Sequence, residues 1–90
     1  MNAHYFFPPA DAYPLNRALF RLKSEPAYRT RFVADREAAM TEAGLGPDAR
    51  SALAAFDRDR LVALGAHPYL VFMADLRLKM DSAPAAFERF

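Results

Sequence analysis

His4 and His67 are the imidazoles of this 90-residue chain, and either could join carboxylates in a facial metal triad. Such a site needs its donors gathered, commonly by one-turn spacing on a helix. Neither histidine has a second imidazole or a carboxylate three or four positions away, so the spacing gives no support to iron or zinc held by this chain. Nucleophilic chemistry is equally poorly supplied. Cysteine is absent, and Ser24, Ser51 and Ser82 stand in no G-x-S-x-G elbow. Gly44, Gly46 and Gly65 fall where helices end or turn, not in a phosphate-cradling loop. Asp57-Arg58-Asp59-Arg60 alternates in sign and reads as a locally paired, solvated face. Arg29, Arg31 and Arg36 could face a nucleic-acid backbone, with Arg36 to Phe56 hinged on Gly44 as a helix-turn-helix. Glu25, Asp35 and Glu37 dilute that field. The chain lacks a reactive set of its own.

The elements that would position these residues are helical. Pro14 suits a first helical turn, and Leu15, Ala18, Leu19 and Leu22 then mark one helix face. Ser24 reads as the N-cap of a second helix, with Pro26 in its first turn and Tyr28 and Phe32 one turn apart. Asp35 caps a third, from Arg36 to Ala43, which Gly44 ends in left-handed geometry. Pro47 restarts the chain as a helix whose face is Ala49, Ala52, Leu53 and Phe56. Asp57 caps a short helix from Arg58 to Leu64, closed by Gly65. His67-Pro68 opens the last long helix, from about Tyr69 to Met80. No window alternates like a strand, and no hairpin turn dipeptide occurs. The expected fold is all-α: a small single domain of five or six short helices. Residues 1–12, with Tyr5, Phe6 and Phe7 before Pro8-Pro9, form an extended arm. Residues 13–80 form the helical domain, and 81–90 a short tail.

Composition sets the outer bounds. Ninety residues allow one domain, and 53% apolar against 26% charged residues exclude disorder as the default. Twelve basic against eleven acidic residues argue against a polyanion binder, so no nucleic-acid partner is expected. No apolar run approaches the ~20 residues needed to span a bilayer, so no membrane partner is expected. Met1 to Phe7 has neither a basic start nor a small-residue cleavage site, so a cytoplasmic location is the expectation.

The last helix differs from the others. Tyr69, Leu70, Val71, Phe72, Met73 and Ala74 are apolar all the way round, and only Asp75, Arg77 and Lys79 restore a polar face. A helix of this kind is either the buried centre of the core or is shared between this core and a second chain.

Taken in order, Tyr13-Pro14-Leu15-Asn16, the Tyr28–Asp35 stretch YRTRFVAD, the Ala43-Gly44-Leu45 helix end, the Phe56–Leu61 stretch FDRDRL and Leu64-Gly65-Ala66-His67-Pro68-Tyr69-Leu70 resemble the small (alpha) subunit of the protocatechuate 4,5-dioxygenase family of ring-opening extradiol dioxygenases. The resemblance runs from about Tyr13 to Lys79. It implies an accessory subunit bound to a larger catalytic subunit, which holds non-haem Fe(II) through two histidines and a carboxylate and opens a catechol-type ring with O2. This chain would then hold no cofactor and would cover the active-site mouth. The residues expected to form substrate wall or partner contact are His67, Pro68, Tyr69, Phe72 and Met73, with Tyr5, Phe6 and Phe7 in the arm and Phe87 in the tail. For His67 a helix cap is favoured over contact with a substrate hydroxyl. The competing reading is a stand-alone helical interaction domain without a catalytic role, docking through Tyr69–Met73.

Overall fold

Proline occupies the first or second position of four helices, where its missing N–H has no intrahelical acceptor to lose. The computed structural model describes residues 12–82. In chain order its helices are α1 (Tyr13–Ser24), α2 (Pro26–Ala34), α3 (Arg36–Glu42), α4 (Pro47–Ala55), α5 (Arg58–Ala63) and α6 (Pro68–Ser82). No strand occurs among the described residues, which is the all-α fold expected. Tyr5, Phe6, Phe7 and Phe87, and with them arm residues 1–11 and tail residues 83–90, lie outside the described residues.

The caps explain most of the boundaries. Asp35 accepts the Ala38 N–H at 3.1 Å, and Asp57 accepts the Arg60 N–H at 3.2 Å. Gly44 (φ +75°) and Gly65 (φ +102°) take the left-handed position that closes α3 and α5. The next residues, Leu45 and Ala66, donate back to the Met40 and Leu61 carbonyls. Ser24 is a correction. It ends α1 and caps nothing; Glu25 takes the N-cap place of α2 in extended geometry (φ −117°, ψ 100°), without a side-chain cap bond. Pro26 is the physical reason, since the residue before a proline is driven out of helical geometry. Phe56 is a second correction. It stands outside the helix, closing α4 at φ +47° while still packing against the core that Ala52 and Leu53 enter, and Asp57 donates to the Ala52 carbonyl. Left-handed geometry costs a bulky residue roughly 1–2 kcal/mol, and packing of the half-buried ring against the core opposes that cost. The last helix runs two residues past Met80, to Ser82.

Helix α1 is the spine. Its face of Leu15, Ala18, Leu19 and Leu22 is wholly buried and meets α2 and α6. Tyr28 and Phe32 of α2, Met40 of α3, Leu53 of α4 and Leu61 of α5 complete the core. Tyr28 is fully buried, yet its hydroxyl donates to the Ala39 carbonyl at 2.8 Å, so its polar tip is satisfied inside the core. The Arg21 guanidinium lies 4.1 Å from the Tyr28 ring centre.

Arg29 does not face outward as the nucleic-acid reading of Arg29, Arg31 and Arg36 requires. It is 8% exposed, donates through Nε to Asp81 at 2.7 Å, and donates through Nη1 to the Leu22 and Lys23 carbonyls at 3.0 and 3.2 Å. One side chain therefore satisfies the C-terminal end of α1 and anchors the far end of α6. At the other end, Asn16 near the start of α1 bonds to the peptide that begins α6. Helices α1 and α6 consequently run side by side in the same direction.

Candidate functional site

At about 100° of turn per residue, α6 carries two apolar faces. Val71 and Ala74 are buried and Leu78 packs against them, forming the inner face. Tyr69, Phe72, Met73, Leu76 and Met80 fall on the opposite side. There Tyr69 is 54% and Phe72 52% exposed, and the other three are half-buried. The helix is thus not the buried centre of the core, and of the two readings that one is overturned. Its apolar residues divide between a buried face and a partly exposed one, and a partly exposed apolar face of this kind suits an interaction surface.

The start of α6 is built with care. The Asn16 side-chain amide donates to the Gly65 carbonyl at 3.0 Å, and its oxygen accepts the His67 N–H at 2.7 Å. His67 Nδ1 then accepts the Tyr69 N–H at 3.1 Å, which is the cap geometry favoured from sequence. His67 and Pro68 are exposed at this corner, and Tyr69, Phe72 and Met73 follow on the outer face. Five of the expected site residues are therefore gathered on the first turns of one helix.

Midway along, Arg58 and Lys79 both donate to the Asp75 carboxylate, Lys79 at 3.0 Å, which ties α5 to α6. Partial burial pushes the Asp75 carboxyl up, but these two hydrogen bonds outweigh it and hold the group below its ordinary value.

The surface continues onto α1 through residues not singled out from sequence. Phe20 is 49% exposed. The Lys23 ammonium lies 5.3 Å from the Phe20 ring centre and 5.9 Å from that of Tyr69, bridging the two helices over aromatic faces. Leu76 and Met80 were findable: 69, 72, 73, 76 and 80 is itself a helical spacing, masked by the second apolar set between them. Phe20 carries no such signal, because one exposed aromatic on an amphipathic helix is ordinary. Asn16 was legible only as part of a motif, not as a clamp.

The arrangement suits binding and not covalent chemistry. Among the described residues no three His, Asp or Glu side chains gather as a metal site. Ser51 accepts a hydrogen bond from Arg60. The basic residues of the helix-turn-helix reading are engaged elsewhere: Arg31 with Glu42, Arg50 with Glu37 and Thr41, and Arg36 with the Ala54 carbonyl. Among the described residues no helix is long and apolar enough to cross a membrane.

A family model described as the LigA subunit of the aromatic-ring-opening dioxygenase LigAB matches residues 15–88. No curated protein and no solved structure matches the chain.

Proposed function

The chain belongs to the LigA-subunit family of aromatic-ring-opening dioxygenases, and from that premise we propose that it is the accessory subunit of an extradiol enzyme, docking on a larger catalytic subunit through the outer face of α6. The supporting observation is the two-faced helix: Tyr69, Phe72, Met73, Leu76 and Met80 lie opposite its core-facing residues, with Tyr69 and Phe72 exposed and the other three half-buried in the isolated chain. Burying such side chains contributes roughly 25 cal/mol per Å² of apolar surface removed from water, so a matching surface on a second chain would be strongly favoured.

The donor set described here does not fit a metal ion, so the reading assigns the non-haem Fe(II) and the binding of a catechol-type ring to the larger subunit. What this chain supplies is wall and closure. Phe72 and Phe20 carry large apolar surfaces without a reactive group, and placed with the Tyr69 ring over an active-site mouth they would exclude water from the reacting centre. The Asn16 clamp and the Arg29–Asp81 pair fix α6 at both ends, so that wall would be pre-organised and would lose little freedom on docking.

The test pairs this chain with the larger subunit from the same source. Oxygen uptake with a catechol-type substrate is expected from the mixture, with little from the larger subunit alone and none from this chain alone. Stoichiometric iron and turnover by the isolated chain would contradict the reading. So would a larger subunit indifferent to its presence.

A further inference from the structure

Cations in this molecule are mostly engaged. Arg21, Arg29, Arg31, Arg50, Arg58 and Lys79 each reach a carboxylate. Among the described residues Arg17, Lys23, Arg36, Arg60 and Arg77 do not: Arg36 bonds the Ala54 carbonyl and Arg60 the Ser51 hydroxyl, while Lys23 lies by the Phe20 and Tyr69 rings. Lys23 and Arg77 are the two of these that share a site. Both line one shallow hollow between the end of α1 and α6, together with Ser24, Pro26 and Arg29. Arg29 is already committed to Asp81 and two carbonyls. Among the described residues no carboxylate lines the hollow, and Lys23, which lines it, also holds its ammonium 5.9 Å from the Tyr69 ring centre on the outer face of α6.

We propose that this hollow receives an acidic side chain of the larger subunit, so that the docking surface is an apolar stripe with one cationic edge and its partner an apolar groove with a matching carboxylate. The proposal rests on the docking reading above and adds the partner's chemistry. Among the described residues Lys23 and Arg77 reach no carboxylate, the neighbouring Asp81 being bonded to Arg29, and a partner carboxylate placed in the hollow would gain charge-assisted hydrogen bonds from both. Edge charges of this kind act chiefly on encounter and orientation, so their contribution falls with salt while the apolar contact persists.

The experiment measures association of the full chain with the larger subunit at about 50 and about 300 mM NaCl, a range over which screening of exposed charges strengthens markedly. The wild-type chain is expected to weaken with salt. The Lys23→Gln/Arg77→Gln double variant is expected to bind roughly tenfold more weakly at low salt and to lose most of the salt dependence, while Lys23→Arg/Arg77→Lys keeps both. Helicity by circular dichroism confirms that each variant is folded. Wild-type affinity and salt dependence in the Gln variant would overturn the proposal. Acetate binding to the free chain, with complex formation unaffected by the Gln pair, would also overturn it by making the hollow a free-anion site. Phe72→Asp reads the docking face separately: if it binds normally, the docking reading fails whatever the charge variants do.

Discussion

Asn16 and His67, fifty-one positions apart, are joined so that one amide side chain sets the start of α6: its oxygen accepts the His67 N–H at 2.7 Å while its nitrogen donates to the neighbouring Gly65 carbonyl at 3.0 Å. His67 in turn caps Tyr69, so the first aromatic of the outer face is positioned through two hydrogen-bonded steps from α1. Asn16→Ala removes both bonds and leaves two backbone groups at a helix start without their partner. A loss of about 1–3 kcal/mol is expected in urea unfolding. Asn16→Asp, which can accept but not donate, should recover part of it. Equal stability of wild type and Ala variant would remove the clamp from the account.

Phe72→Asp separates the two faces of α6. Phe72 is 52% exposed, so the variant should fold, with a change in stability within about 0.5 kcal/mol. Its complex with the larger subunit should weaken more than tenfold, since an unpaired charge would enter an apolar interface. Val71→Asp, one residue away on the buried face, should instead unfold the chain. Circular dichroism and size-exclusion chromatography check both.

Arg29 and Asp81 form an unequal pair. Asp81 is 43% exposed, and an amide there keeps an acceptor for Arg29 Nε, so Asp81→Asn should cost about 1 kcal/mol. Arg29→Ala should cost more, about 2–3 kcal/mol, because it also strips the Leu22 and Lys23 carbonyls of their donor. Comparable losses in thermal unfolding would contradict this description.

Acid should weaken the fold through Asp75 and Glu42. Hydrogen bonds from Arg21 and Arg31 hold the Glu42 carboxyl low; at Asp75, burial acts upward but the bonds from Arg58 and Lys79 outweigh it. Because both folded values lie below the ordinary carboxylate values of about 3.9 and 4.3, the unfolded chain binds more protons in acid. Stability is therefore full at neutral pH and falls as pH drops through the folded values. Asp75→Asn should flatten that decline between about pH 5 and pH 3. An unchanged slope in pH-dependent urea unfolding would refute the assignment.

At the alkaline end Tyr28 has the opposite sign. Burial pushes its hydroxyl up, so the fold resists its ionisation and loses stability as pH rises past the ordinary tyrosine value of about 10. Tyr28→Phe should cost about 1 kcal/mol for the bond to the Ala39 carbonyl and remove this alkaline loss.

Much of the architecture was legible because local signals agreed with one another. Asp35, Asp57, Gly44 and Gly65 each act at the boundary their chemistry announces. Where two local rules competed, the reading erred. Ser24 is a good cap, yet Pro26 drives its own neighbour, Glu25, into extended geometry and so moves the boundary by one residue. Phe56 takes a position glycine would normally mark, held there by tertiary packing that no local pattern encodes. At the site, the apolar character of Tyr69–Ala74 was visible, but its division into inner and outer faces depended on where α1 and α5 pack against α6. Lys23 and Arg77 looked like ordinary surface charge, because the hollow they share is made by two helices distant in sequence.

Hydrogen–deuterium exchange of the chain, free and bound to the larger subunit, reads the docking face itself. New protection is expected on α6, over residues 69–80, and at the Phe20–Lys23 end of α1, with α3 and α4 unchanged. A stable complex that protected α3 and α4 and left α6 exchanging as in the free chain would contradict docking through α6.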